Sequence, residues 1–219
     1  MAFDIKICGL KTDETLAAAL AGGASHVGFI FFAKSPRYVE PVEAGRLRQS
    51  AVGRAKAVAV SVDADDAFLD RIVAEMRPDM LQLHGSESPA RVAEVKARYD
   101  LPVMKAMAIS EAADLERIKP FMGIADRFLF DAKPPKGSQL PGGNGVAFDW
   151  KLLAALDADV DYMLSGGLNA ANIGDALRQA NPPGIDISSG VESAPGVKDP
   201  ALIEQFFRAV RAARDDRAA

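Results

Sequence analysis

Cys8, His84, Asp131 and Asp186 are the side chains whose types and settings point to proton transfer. Each closes or interrupts a short apolar run, and Cys8 and His84 are followed directly by Gly9 and Gly85. A cysteine is a usable base at neutral pH where backbone dipoles or a nearby lysine, here Lys6, favour its thiolate. A carboxyl held in a desolvated pocket keeps its proton and acts as an acid. One base and one acid across a sugar phosphate are enough for an isomerisation. Each residue also has a plainer reading: Cys8 as a small core residue, His84 as a strand cap, Asp131 as a turn cap, and Asp186 as the partner of Lys6 inside the fold.

A second chemistry is written into two segments near the C-terminus. Ile185-Asp186-Ile187-Ser188-Ser189-Gly190-Val191-Glu192 and Leu164-Ser165-Gly166-Gly167-Leu168-Asn169 both read as strand, glycine turn and helix start. Glycine lets the backbone approach a ligand closely, and the N–H groups of a turn and a helix N-terminus suit an anion, most often phosphate. Ordinary turns with helix caps are the alternative. The segment Lys34-Ser35-Pro36-Arg37-Tyr38 adds a guanidinium suited to bidentate carboxylate binding, or else a surface arginine.

What positions these groups is an alternation of strand-like and helix-like stretches along the chain, the pattern of a parallel sheet with crossover helices. Strands are expected at 4–8, 26–31, 55–62, 80–84, 102–106, 127–131, 162–165 and 184–187, the number that closes a single-domain (β/α)8 TIM barrel over residues 1–219. Side chains alternate across a strand, so with Ile5 and Ile7, Leu81 and Leu83, Phe128 and Phe130, and Ile185 and Ile187 facing outward, Lys6, Cys8, Gln82, His84, Asp131 and Asp186 face inward. The reactive set then converges on the C-terminal face, where active sites of this fold lie, and the two glycine turns follow the last two strands, where such barrels bind phosphate. Helix starts are expected at Thr12, Asp65, Ser88 with Pro89, Ser110, Asn169, and Asp199 with Pro200. The proline- and glycine-rich stretch 132–146, after the sixth strand, reads as a lid or, alternatively, a plain insertion, and residues 211–219 read as a frayed, solvated tail.

Composition narrows the classes. With 49% hydrophobic and 26% charged residues the chain is ordinarily globular, and a net charge of −4 carries no basic footprint for nucleic acid. No apolar run reaches membrane-spanning length and no leader is evident, so a cytoplasmic protein is expected. The single cysteine forms no intrachain disulfide, and with two histidines it makes a structural zinc site unexpected. The stretch 132–146 lacks the Gly-Lys-Ser/Thr ending of a nucleotide loop. Amphipathic helices without an extra apolar stripe fit a monomer.

Several motifs in order resemble the phosphoribosylanthranilate isomerase family of tryptophan biosynthesis: KICG at 6–9, GFIF then SPRYV within 28–39, LQLHG at 81–85, FDWKLL at 148–153, LSGGL at 164–168, and DISSGVE with PG after it at 186–196. The resemblance spans nearly the whole chain. It implies an Amadori rearrangement of a phosphoribosyl substrate, with Asp131 as general acid at the furanose ring oxygen and Cys8 as general base at C2′. It further implies that Arg37 holds the anthranilate carboxylate, that Gly166, Gly167, Ser188, Ser189 and Gly190 hold the phosphate, and that His84 and Asp186 contact substrate. No cofactor, metal, nucleic acid or membrane partner is expected.

Rival readings remain. The histidine-pathway aminoaldose isomerase is expected to carry an aspartate where this chain has Cys8, and indole-glycerol-phosphate synthase an extension before the first strand. A metal-dependent epimerase needs more histidines. A non-catalytic phospholigand-binding barrel would share fold and phosphate turns without turnover.

Overall fold

Eight parallel strands, β1 (Asp4–Cys8), β2 (His26–Phe31), β3 (Lys56–Ser61), β4 (Met80–Leu83), β5 (Val103–Ile109), β6 (Arg127–Ala132), β7 (Tyr162–Leu164) and β8 (Gly184–Ile187), pair in sequence order, and β8 returns to β1 to close a barrel. This computed structural model describes residues 3–133, 142, 145, 147–157 and 159–218. Alternation along the strands splits the apolar residues into two groups. Ile7, Phe29, Leu81, Phe130 and Ile185 face outward and join the core under the helices. Val58, Val60, Met104, Leu129 and Met163 fill the barrel interior together with Cys8. Because a strand's faces differ by one residue, this division fixes which polar side chains enter the barrel.

Helices α1 (Asp13–Gly22), α2 (Pro41–Arg48), α3 (Asp66–Met76), α4 (Pro89–Tyr99), α5 (Ala112–Leu115), α6 (Ile173–Ala180) and α7 (Pro200–Ala218) pack outside. Their starts follow local chemistry: Thr12, Asp65 and Ser88 accept hydrogen bonds from the N–H groups of Thr15, Phe68 and Arg91, and Asp199 accepts from Ala201 and Leu202. Each supplies a partner for an N–H that the helix itself leaves unpaired. No helix among the described residues is long and apolar enough to cross a membrane.

The structure departs from the sequence reading at several edges. β5 runs to Ile109 rather than Ala106, because its pairing with β6 continues through Ile109 opposite Ala132. At Asn169 the side-chain oxygen caps a turn, accepting from Ala171 and Asn172, and α6 begins only at Ile173. Between β6 and β7 the described residues form a 3-10 turn, Trp150–Ala155, with Asp149 accepting from the N–H of Lys151. A short antiparallel hairpin, β9 (Glu192–Ala194) and β10 (Val197–Lys198), follows β8 and was not expected. Pro195-Gly196 turns it, with Gly196 at φ +79°, the left-handed backbone that a Pro-Gly turn places on glycine. Of the stretch read as a lid, residues 134–141, 143, 144 and 146 lie outside the described residues. The chain is helical to Ala218 through most of the segment read as a tail.

Candidate active site

A cleft with about 670 Å³ of empty space, its solvent mouth included, opens at the C-terminal ends of the strands. Cys8, Arg37, His84, Asp131, Asp186, Gly166, Gly167, Ser188 and Ser189 all line it. Gly190 stands one layer behind, pressed so closely on the carbonyl of Leu168 that no Cβ fits. That contact seats the turn after β8 against the turn after β7.

Cys8 ends β1 on the inner face, beside Gly28 in the register of β2. A Cβ on Gly28 would lie 2.9 Å from the Cys8 Sγ and 3.1 Å from the Lys6 Cε, so the missing side chain is the space the thiol occupies. Lys6 is fully buried and donates to Asp186 Oδ1 at 2.9 Å, while Asp186 Oδ2 lies 3.4 Å from the Ser165 hydroxyl. Asp186 therefore both pairs with Lys6 and faces the cleft. Burial pushes the Cys8 thiol above its ordinary range, Lys6 and Lys198 pull it back, and Asp186 adds to the rise. The Lys6 ammonium is drawn down by burial, but Asp186 and Cys8 outweigh that and hold it above its usual value. Lys6 and Lys198 are thus the charges that favour the Cys8 thiolate, against burial and Asp186.

Across the cleft, Asp131 near the end of β6 accepts the N–H of Ala132 through Oδ1 at 2.9 Å and places Oδ2 3.5 Å from His84 Nε2. His84 Nδ1 lies 2.9 Å from the side-chain nitrogen of Gln82. With that amide donating, the ring proton sits on Nε2, toward Asp131. Gly142 closes over the pair: a Cβ there would fall 2.5 Å from Asp131 Oδ2 and 2.6 Å from His84 Nε2. The sequence put Gln82 inside the barrel, but its part in orienting His84 is visible only in the geometry.

Arg37 is 4% exposed, so the surface alternative does not hold. Its Nε and Nη2 donate to Glu192 Oε1 and Oε2 at 2.8 and 2.9 Å, and its stem lies on Gly9, where a Cβ would come within 2.9 Å of Arg37 Cδ. The fork, whose geometry suits a substrate carboxylate, is thus engaged by a carboxylate of the protein. Glu192 also receives Lys198 and, at 3.2 Å, the N–H of Gly196. Burial raises the Glu192 carboxyl, but Arg37 and Lys198 bring it below its ordinary value; burial lowers the Lys198 ammonium against the pull of Glu192. Glu192 and Lys198 escaped the sequence reading, although the Pro-Gly turn between them was a signal for a hairpin.

The two glycine turns are compact. Gly166 and Gly167 follow β7 at φ +88° and +64°, a backbone that L side chains rarely adopt, and a Cβ on Gly166 would meet the Ala132 nitrogen at 2.6 Å. Ser188 donates through Oγ to the Cys8 carbonyl at 3.1 Å, tying the turn after β8 to the end of β1.

Among known proteins, the model of the N-(5′-phosphoribosyl)anthranilate isomerase family matches residues 5–209. The enzyme of that name from Mesorhizobium japonicum is 85% identical over 219 residues, the whole of both chains. Among solved structures, monomers generated from the dimeric phosphoribosylanthranilate isomerase of Thermotoga maritima share 30% identity at a TM-score of 0.82, covering 96% of this chain and 100% of that one. A phosphoribosyl anthranilate isomerase in complex with reduced 1-(o-carboxyphenylamino)-1-deoxyribulose 5-phosphate shares 29% at 0.83, with the same coverage. The family match runs from β1 into α7, and the chain belongs to the N-(5′-phosphoribosyl)anthranilate isomerase family.

Proposed function

We propose that Cys8 and Asp131 are the base and acid with which this chain carries out the reaction of its family, the Amadori rearrangement of N-(5-phosphoribosyl)anthranilate to 1-(2-carboxyphenylamino)-1-deoxyribulose 5-phosphate in tryptophan biosynthesis. Asp131 protonates the furanose ring oxygen, the C1′–O bond breaks, and the nitrogen lone pair forms an iminium. Cys8 then removes the C2′ proton, giving an enolamine that tautomerises to the ketone. Apart from opening the C1′–O bond, the steps are proton transfers, and the oxidation of C2′ is balanced by the reduction of C1′ within the substrate.

The observation that carries this reading is that Cys8 and Asp131, on β1 and β6, line one cleft with the turns after β7 and β8. Gly166, Gly167, Ser188 and Ser189 receive the phosphate there, with Gly190 setting the distance between the turns. His84 holds the Asp131 carboxyl toward the ring oxygen, Asp186 acts through Lys6 on the base, and Arg37 meets the anthranilate carboxylate. Ile30, Val60 and Leu168 give the cleft an apolar surface for the aromatic ring.

The enzyme acts in this reading as a cytoplasmic monomer. The exposed large hydrophobic residues among those described are few: Val42, Val52, Met122 and Val197. A concentration-independent dimer in light scattering, or recovery with membranes on fractionation, removes the corresponding statement.

Loss of anthranilate-type fluorescence when the purified protein meets phosphoribosylanthranilate made in situ tests the function. Rapid loss is expected. Binding of the reduced product analogue with no loss of fluorescence would leave a binding barrel.

A further inference from the structure

The hairpin of β9 and β10 belongs neither to the barrel nor to the helices around it, yet it buries a carboxylate between two cations at the rim of the cleft. The side chains of Glu192 and Lys198 are 3% and 2% exposed. Glu192 accepts both nitrogens of the Arg37 fork, and Lys198 reaches Glu192 on one side and the Ser188 hydroxyl, at 3.4 Å, on the other. Ser188 in turn donates to the Cys8 carbonyl. The tip of the hairpin braces the same loop: Gly196 packs against the Pro36 carbonyl too closely for any Cβ, and Lys11 donates to that carbonyl at 2.9 Å.

Burying such a set costs desolvation, and apolar residues of similar size would stabilise the hairpin at least as well. Its placement and its charge give it another use. Lys198 places an ammonium 3.4 Å from the Ser188 hydroxyl and close enough to act on Cys8, opposite in sign to a phosphate and to a thiolate. Other charged groups around Cys8 are Lys6 on β1, Asp186 on β8 and Arg37, with His84 and Asp131 across the cleft. Lys6 and Asp186 already pair with each other.

We propose that Glu192 and Lys198 are positioning residues for the isomerisation: one buried carboxylate ties Arg37 to an ammonium beside Ser188 and Cys8, so that carboxylate anchor, phosphate turn and base are held as one unit. The proposal rests on the assignment of Cys8 as base. Lys198 supplies charge to the thiolate, and Glu192 sets the aim of Arg37.

The test uses the full chain, with Cys8, its only cysteine, as its own reporter. The rate of Cys8 alkylation by iodoacetamide and kcat/KM are each measured against pH in wild type, Lys198→Met and Lys198→Arg, with circular dichroism as a check on folding. Lys198→Met is expected to move the rising limb of both profiles up by about one pH unit, and Lys198→Arg to restore most of that shift. Glu192→Gln is expected to raise KM about tenfold or more with a smaller change in kcat, and Glu192→Asp to recover part of it. Profiles of a folded Lys198→Met protein that overlay those of wild type overturn the proposal, as does a KM within about twofold in Glu192→Gln. If Lys198→Met does not fold, the Glu192→Gln measurement decides alone. Alkylation needs no turnover, so a shifted alkylation profile in a protein whose wild type leaves phosphoribosylanthranilate unchanged would remove the substrate and keep the charge coupling.

Discussion

The N-terminal end of the barrel and its C-terminal rim both bury charge, and they dispose of it differently. At the N-terminal end, Arg127 pairs with Asp4 at 2.7 Å and with Asp161 at 2.9 Å, and His26 Nδ1 lies 2.8 Å from the Ser25 hydroxyl and 3.8 Å from Asp4. Burial pushes the His26 imidazole down to about 4, so the ring is neutral at pH 7, while Arg127 pairs with both Asp4 and Asp161. At the rim, Lys6 and Lys198 flank a thiol, and the Asp131 carboxyl stands beside His84 in an open cleft. Closed pairing stabilises a fold. Reactivity needs groups whose proton affinity depends on a partner still to arrive.

The comparison breaks most severely where backbone contact assembles the rim. Gly190→Ala drives a Cβ into the Leu168 carbonyl and separates the two turns, so kcat/KM should fall roughly 10²–10³-fold through lost phosphate anchoring, with steady-state kinetics as the check. Gly28→Ala places a methyl 2.9 Å from the Cys8 sulfur. Displacing the base should lower kcat about 10²-fold while KM changes little, because the phosphate turns stay in place.

The N-terminal end should respond only in stability. The folded protein favours neutral His26, whereas the unfolded chain takes up that proton near 6.5. This contribution is therefore intact above about pH 6.5 and is lost as the pH falls toward 4. Melting temperature should drop by a few degrees over that window in wild type and less in His26→Gln, with kcat at pH 8 within about twofold of wild type. An equal loss of kcat at pH 8 would merge the two regions that the structure separates.

How much of this was legible in the sequence followed the range of the forces involved. Inward-facing Lys6, Cys8, Gln82, His84, Asp131 and Asp186 were readable because the outward alternation of Ile5 and Ile7, or of Phe128 and Phe130, is local and has a period of two. Helix starts at Thr12, Asp65 and Ser88 were readable because a cap acts on an N–H three residues away. The partner of Arg37 was not, since Glu192 is 155 positions distant and only closure of the barrel brings them together. The buried pair of Lys105 with Glu87, at 2.9 Å between β5 and the loop after β4, was missed although only 18 positions separate them, because no local periodicity signals a contact from a strand to the preceding loop. Strand β5 outran its expected end because its last residues are held by the pairing of β6 rather than by any signal of their own.

The most direct measurement compares single-turnover loss of phosphoribosylanthranilate fluorescence in wild type, Cys8→Ala and Asp131→Asn, with titration of each by the reduced product analogue. Both variants should bind the analogue as wild type does and turn over about 10²–10⁴-fold more slowly. Either variant converting substrate at close to the wild-type rate would contradict its place as the base or the acid.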